Sequence, residues 1–189
     1  MKLNLPNRLT ITRIILTPVF LAVFLWEGLP HRFLIACIIF VAGAVTDAVD
    51  GHLARKYNEI TNFGKLLDPI ADKILTTAAL LGFLGEGLCS VWVVMIVLTR
   101  EFTISSIRMI AAADGVVIPA NIWGKVKTAT QMVFTVIIML ACEFGSVFDR
   151  LPFTLADFSG CLLWITAVLT VVSGVIYVKD SIKVIDYSK

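Results

Sequence analysis

Four aspartates stand out in this chain because their spacing could support chemistry. Asp47 and Asp50 are three residues apart, and Asp68 and Asp72 are four apart, so each pair would share one face of a helix. Clustered carboxylates repel one another unless protons, basic groups or bound cations compensate them. All-oxygen ligands suit hard cations such as Mg²⁺ or Mn²⁺. Two such pairs therefore suggest a two-cation site, an arrangement that clamps a transferring phosphoryl group.

Small and basic residues surround the first pair. Gly51 follows Asp50 directly and would let a ligand or another helix come close, while Ala54 keeps the same stripe shallow. Arg55 could offer two parallel hydrogen bonds to a phosphate. This stretch therefore favours a phosphorylated ligand.

Membrane helices must position these residues. Of the 189 residues, 58% are hydrophobic and only 16% are charged, and the mean hydropathy is +0.91. Six apolar segments are each long enough to cross a bilayer. We predict one all-α domain over residues 1–189, a six-helix bundle preceded by a short amphipathic interfacial helix that ends near Pro6. The predicted spans are about 7–26, 32–56, 62–85, 90–113, 122–144 and 155–178.

The basic residues predict the orientation. With the N-terminus inside, only Arg32 and Arg150 of the 16 Lys and Arg fall on the outer side. Aromatic residues near the span ends, Tyr177 among them, fit interfacial anchors. Most polar residues then lie in the cytoplasmic halves of the spans, whereas the outer halves are almost entirely apolar. We expect both termini and a polar cavity on the cytoplasmic side.

Two other functions could use intramembrane carboxylates. A cation or proton transporter would use them as a relay, and a structural bundle would pair them in salt bridges. Transport needs a polar path to the outer face, which the apolar outer halves do not offer. The net charge of +2 says little about partners, and we expect no nucleic-acid partner.

The acidic stretch resembles a known family signature. The run Asp47-x2-Asp50-Gly51-x2-Ala54-Arg55-x8-Gly64-x3-Asp68-x3-Asp72 matches, at every fixed position, the signature of the CDP-alcohol phosphatidyltransferases. Members of that family displace CMP from a CDP-linked donor by attack of an alcohol. The resemblance implies six membrane helices, with the motif on the second and third.

The resemblance also implies roles for the motif residues. Two divalent cations, Mg²⁺ or Mn²⁺, would be held at the donor pyrophosphate by Asp47, Asp50, Asp68 and Asp72. Asp72 would also take the proton of the acceptor hydroxyl. The CDP group would lie against Gly51, Ala54 and Arg55, with Gly64 permitting close approach near the nucleotide.

Basic residues outside the motif point to the acceptor. Arg100 and Arg108 are eight residues apart, hence on about the same helix face, and Lys125 and Lys127 open the fifth span. This arrangement would suit an acceptor phosphate, although positive-inside anchoring is the alternative for the lysines. We expect Glu101 to pair with Arg108 or to orient a hydroxyl.

Three shorter stretches resemble one bacterial branch of the family. These are NLPNRLTITRIILTP near the N-terminus, TREF at 99–102 and GKVKT at 124–128. Enzymes of that branch transfer the phosphatidyl group from CDP-diacylglycerol to sn-glycerol 3-phosphate in phospholipid biosynthesis. The resemblance implies a homodimer in the lipid bilayer of the bacterial inner membrane. Inositol phosphate or serine remains open as the acceptor.

Overall fold

The fold consists of helices throughout the described chain. The computed structural model describes the backbone of residues 5–57, 62–113, 115 and 121–182, and the side chains of residues 9–46, 70–71, 73–112, 115, 121–148 and 151–182. The α-helices are α1 (Leu5–Leu25), α2 (Arg32–Tyr57), α3 (Asn62–Gly85), α4 (Val91–Ala113), α5 (Ile122–Glu143) and α6 (Leu155–Ile182). A short 3₁₀ helix, Gly145–Arg150, joins α5 to α6. The all-α prediction is confirmed.

The helix ends differ from the sequence prediction in three places. One continuous helix runs from Leu5 through Pro6 to Leu25, so the expected break near Pro6 is absent, while residues 1–4 of the predicted interfacial helix lie outside the described residues. Pro6 is tolerated there because the first turn of a helix needs no intrahelical N–H donors. The 3₁₀ helix was expected to be a loop, and α6 continues four residues beyond the predicted end at residue 178.

Side-chain caps explain where two of the helices begin. Asn121 precedes α5, and its Oδ1 accepts a hydrogen bond of 3.2 Å from the Trp123 N–H. At α6, Thr154 Oγ1 accepts from the Asp157 N–H at 3.1 Å, and the Asp157 carboxylate accepts from the Thr154 N–H at 3.0 Å. Both caps satisfy N–H groups that the first helical turn leaves without carbonyl partners.

Within the described residues, two helices are long and apolar enough to cross a membrane by themselves, α5 at 22 residues and α6 at 28. Shorter apolar stretches lie within α1, α2 and α3, at Leu9–Leu25, Arg32–Thr46 and Lys73–Gly85. With such helices the chain has the character of a membrane protein. The six spans predicted from the sequence stay a prediction.

The helices form a closed ring of neighbours. Helix α1 packs on α2 and α3, α2 on α5, α5 on α6, α6 on α4, and α4 on α3. We call the end of the bundle where α2 ends and α3 begins the motif end, and the opposite end the far end. The far end is filled by interlocking aromatic rings, with Phe24 centred 5.2 Å from Phe33 and 5.6 Å from Phe83. These rings form an apolar core at this end of the bundle.

Most of the buried polar side chains lie toward the motif end. Helix α1 contributes Thr10, Arg13 and Thr17, and α5 contributes Lys127, Gln131 and Thr135. In α6 the buried polar residues recur every three or four positions at Thr166, Thr170, Ser173, Tyr177 and Ser181. This periodicity places each set on one helix face. Among the described residues, the polar faces of three helices thus turn into the bundle.

Ion pairs connect the helices at the far end. Arg32 Nη2 donates to Glu86 Oε2 at 2.9 Å, which joins the start of α2 to the residue after α3. His31 Nδ1 lies 2.5 Å from Glu143 Oε1, and the other oxygen of Glu143 accepts from the Leu34 N–H at 3.2 Å. Glu143 thereby satisfies an N–H group in the first turn of α2 from the end of α5.

Close helix packing at Gly82 predicts a strong effect of a small substitution. A Cβ at Gly82 would lie 2.9 Å from Phe24 Cδ1, and Phe24 is fully buried. We expect Gly82→Ala to destabilise the fold by about 1–3 kcal/mol, because overpacking forces rings and backbone apart. Thermal unfolding of the purified protein measures this effect.

Gly160→Ala is the matched control, since a Cβ there meets nothing within 4 Å. It should leave the unfolding temperature nearly unchanged. Equal stability of the two variants would contradict the packing described for α1 and α3.

Candidate functional site

The aspartate motif lies on continuous helical backbone. Asp47 and Asp50 belong to the last three turns of α2, and Asp68 and Asp72 to the first three turns of α3. The side chains of these four residues, and those of the predicted CDP-site residues Gly51, Ala54, Arg55 and Gly64, lie outside the described residues. Their grouping and roles therefore stay predictions. The helical backbone itself agrees with the spacing argument.

Helices α2 and α3 come close together near the motif. A Cβ at Gly43 would lie 2.7 Å from Leu75 Cδ2, so the glycine makes room for a side chain of the neighbouring helix. Asp47 follows Gly43 by four residues and Asp72 precedes Leu75 by three, about one helical turn in each case. The two helices thus approach each other one turn away from the first and last aspartates of the motif.

A cluster of charged side chains joins α4 to α5. Glu101 Oε1 lies 2.6 Å from Lys127 Nζ and 3.0 Å from Arg100 Nη1, so one oxygen accepts from two cations. The Lys127 side chain is only 3% exposed and that of Arg100 13%. Ion pairs at such burial are much less screened than surface pairs. The structure therefore brings together two of the four residues predicted for the acceptor phosphate.

Two glycines make room for Arg100. A Cβ at Gly174 of α6 would lie 3.2 Å from Arg100 Cγ, and one at Gly124 of α5 would lie 3.3 Å from Arg100 Nη2. Both distances are shorter than an ordinary van der Waals contact between a Cβ and the atom packed against it. The Arg100 side chain therefore passes α6 and ends beside the first turn of α5.

Arg108 lies in a separate contact. Its Nε donates to the Tyr177 hydroxyl at 3.1 Å, and its guanidinium lies 5.2 Å from the centre of the Tyr177 ring. The expected pairing of Glu101 with Arg108 is wrong, because the Glu101 carboxylate binds Arg100 and Lys127 instead. Lys125 is exposed near the start of α5. The four predicted acceptor residues thus divide into a pair, of which Lys127 is buried and Arg100 is partly buried, and two exposed cations.

Tyr177 is a site residue that sequence reasoning assigned differently. It was expected to be an interfacial anchor, yet it is 2% exposed and contacts Arg108. Its position on the polar stripe of α6, four residues after Ser173 and four before Ser181, was the feature of the sequence that could have indicated burial. A tyrosine on a buried polar stripe fits an internal hydrogen bond better than membrane anchoring.

Arg13 is a second residue missed from the sequence. It is 2% exposed on α1, between Thr10 and Thr17 on the same face. It lines a small cavity together with Gly43 of α2, Thr76 of α3 and Met132 of α5. This buried cation therefore lies at the junction of four helices, close to the approach of α2 and α3. Its spacing of three and four from the two threonines was the signal in the sequence.

Lys73 connects the charged cluster to the motif helix. It follows Asp72 directly in α3 and is close enough to the Glu101 carboxylate to attract it electrostatically. Helices α3 and α4 also pack together. The α4–α5 cluster therefore lies beside the segment of α3 that carries the last aspartate of the motif.

A groove of about 650 Å³ runs along the outside of the bundle between α4 and α6. Its walls are mainly apolar, with Trp92, Met95 and Ile96 from α4 and Val171 and Val175 from α6. The Arg100 side chain forms part of the wall. The groove thus lies outside the polar interior but shares Arg100 and Thr170 with it.

The predicted divalent cations would be held by the four aspartates of the motif. Within the part of the chain whose side chains are described, no three His, Cys, Asp or Glu residues come together as metal ligands. Carboxylate oxygens are the ligands that Mg²⁺ and Mn²⁺ prefer. The donor set of the motif fits such cations chemically.

The described chain is an all-helical bundle with apolar helices typical of a membrane protein, and its charged α4–α5 cluster lies near the helix that carries Asp68 and Asp72. Residues 3–172 match the CDP-alcohol phosphatidyltransferase family. The chain belongs to this family and is an enzyme of that kind. Family membership decides against the transporter and the purely structural bundle.

Relatives with similar sequences cover nearly the whole chain. A Bacillus subtilis protein named CDP-diacylglycerol–glycerol-3-phosphate 3-phosphatidyltransferase is 39% identical over 184 residues, 90% of this chain and 91% of its own length. A Haemophilus influenzae protein with the same name is 36% identical and covers 95% of this chain and 94% of its own. The crystal structure of Mycobacterium tuberculosis phosphatidylinositol phosphate synthase in apo form has a TM-score of 0.59 at 23% identity, covering 93% of this chain and 89% of that one. This structure supports the fold.

The Arg108–Tyr177 contact predicts a measurable effect of a single oxygen atom. Tyr177→Phe keeps the ring under the guanidinium but removes the hydroxyl that accepts from Arg108 Nε. If Arg108 contributes to acceptor binding, KM for the acceptor should rise about two- to tenfold, because the loss of one hydrogen bond weakens binding by about this factor. Initial rates of CMP release at varied acceptor concentration measure this change, and an unaltered KM would contradict the role of the contact.

Proposed function

We propose that this chain transfers the phosphatidyl group of CDP-diacylglycerol to sn-glycerol 3-phosphate, giving phosphatidylglycerophosphate and CMP in phospholipid biosynthesis. The observation that carries the proposal is the buried pair Arg100 and Lys127, held on Glu101 beside Lys73 of the motif helix. Cations in a low-dielectric site favour an anionic acceptor over a neutral alcohol. The names of the relatives point to the same acceptor.

The donor would bind at the aspartate motif. Two divalent cations, Mg²⁺ or Mn²⁺, would be held by Asp47, Asp50, Asp68 and Asp72 and, when bound, would neutralise the pyrophosphate and the departing CMP. Gly51 and Gly64 would leave room for the nucleotide, with Ala54 and Arg55 lining the CDP group. The family signature supports these assignments.

The acceptor would bind through its phosphate at the charged cluster. Arg100 and Lys127 would hold the phosphate, while the more exposed Arg108 and Lys125 would attract it from solution. The acceptor hydroxyl would then be directed toward the motif end of α3, which carries Lys73 near Glu101. Holding both reactants in place removes much of the entropic barrier of a bimolecular reaction.

The chemical step would exchange one phosphorus–oxygen bond for another. Asp72 accepts the proton of the acceptor hydroxyl, and that oxygen forms a bond to the phosphorus that carries diacylglycerol. The bond from this phosphorus to the CMP oxygen breaks, and CMP leaves with the electron pair. Each substrate is thus held by a different part of the bundle.

The proposed setting is the bacterial inner membrane. All six helices would span the bilayer, with both termini and the motif end on the cytoplasmic side, where the soluble acceptor sn-glycerol 3-phosphate is available. The polar faces toward the motif end and the aromatic core at the far end support this orientation. The chain would form a homodimer through its lipid-facing apolar residues.

Release of CMP with a panel of acceptors tests the proposed function. Purified protein with CDP-diacylglycerol and Mg²⁺ should release CMP fastest with sn-glycerol 3-phosphate and much more slowly with glycerol, serine or inositol phosphate. Thin-layer chromatography of the lipid product identifies the acceptor. Faster release with serine or inositol phosphate would contradict the assignment of the acceptor.

Substitution of the proposed base gives a second test. Asp72→Asn should lower kcat at least about 100-fold, the usual contribution of a general base, while KM for the donor changes little. Asp157→Asn is the matched control, because Asp157 lies exposed at the far end, where it caps α6. Normal turnover of Asp72→Asn would refute the proposed role.

A further inference from the structure

We propose that Glu101 is a positioning residue, which holds Arg100 and Lys127 as a fixed pair for the phosphate of the acceptor. This inference rests on the proposed function and assigns to the site a residue that does not itself bind substrate. Glu101 Oε1 accepts from Lys127 Nζ at 2.6 Å and from Arg100 Nη1 at 3.0 Å. A single carboxylate oxygen thereby fixes the spacing of two cations from different helices.

Because Arg100 and Lys127 are shielded from water, their positive charges need a nearby anion. Lys127 is 2% exposed, so its ammonium has almost no contact with water. Two cations close together at low dielectric repel each other strongly, and flexible side chains would separate in response. With Glu101 between them, Arg100 and Lys127 keep their places before the acceptor arrives. The site is therefore organised in advance, which lowers the cost of binding.

The surroundings leave Glu101 as the group that fixes the orientation of Arg100. Gly174 and Gly124 give the Arg100 side chain a narrow passage between α6 and α5, with Cβ distances of 3.2 and 3.3 Å. Within that passage the guanidinium turns toward the Glu101 oxygen. Both the path and the terminal contact of Arg100 are thus set by neighbouring residues.

The charge of Glu101 argues against direct contact with the acceptor. A carboxylate repels a phosphate, so it assists phosphate binding only through the cations that it holds. Three cations, Arg100, Lys127 and Lys73, act on this one carboxylate. The role of Glu101 is therefore indirect, and its loss should alter acceptor binding more than donor binding.

Steady-state kinetics of Glu101→Gln test this inference. The amide keeps the size of the side chain but removes the charge that holds the cations. We expect KM for sn-glycerol 3-phosphate to rise at least about tenfold, with KM for CDP-diacylglycerol within about twofold of wild type. Glu101→Asp, which keeps the charge one methylene further away, should restore part of the affinity.

Glu86→Gln is the matched control. Glu86 also forms an ion pair, at 2.9 Å with Arg32, but at the far end of the bundle. It should lower thermal stability without changing KM for the acceptor. If Glu101→Gln behaves in the same way, Glu101 is merely structural and the inference is wrong.

Further results would also test the role of Glu101 and the proposed function. A lower acceptor KM in Glu101→Gln would show that the carboxylate competes with the phosphate, which overturns the inference. Turnover of the wild-type enzyme with different acceptors tests the proposed function separately. If another phosphorylated acceptor is preferred, the acceptor assignment fails, and KM of wild type and Glu101→Gln is compared with that acceptor. If only unphosphorylated alcohols are used, both proposals fail.

Discussion

A charged side chain inside an apolar helix bundle is stable only when opposite charge, hydrogen bonds or water compensate it. Lys127 meets this requirement through Glu101, and the buried hydroxyls of α6 meet it by donating to carbonyls of their own helix, as Thr170 does to Thr166. The far end carries aromatic rings instead, with Phe24 at their centre. Among the described residues, most buried polar side chains thus lie toward the motif end, and the charged groups of the far end are compensated in contacts such as Arg32 with Glu86.

The ring of helices divides the proposed reaction between two sides. Helices α2 and α3 carry the aspartate motif, and α4, α5 and α6 carry the basic residues. Packing of α3 on α4 brings Lys73 near Glu101, so the two sides meet next to Asp72. In the proposed reaction both substrates are anionic, and each would be compensated separately, the pyrophosphate by cations held at the motif and the acceptor phosphate by basic side chains.

Composition and spacing predicted much of this architecture. The helical content and the approximate helix bounds followed from apolar run lengths, and the helical backbone at the motif agrees with carboxylates three and four residues apart. Side-chain partners on neighbouring helices could not be predicted from the sequence. The sequence suggested Arg108, on the same helix, as the ion-pair partner of Glu101, whereas in the structure Lys127 of α5 donates to Glu101. Tyr177 was misread for the same reason, because its contact depends on how α4 packs against α6.

An experimental structure with sn-glycerol 3-phosphate and Mn²⁺ bound would test the central claim most directly. The account predicts the acceptor phosphate within hydrogen-bond distance of Arg100 and Lys127, and the anomalous signal of Mn²⁺ at the aspartates of α2 and α3. A phosphate bound away from the α4–α5 cluster, or Mn²⁺ away from the motif, would contradict it.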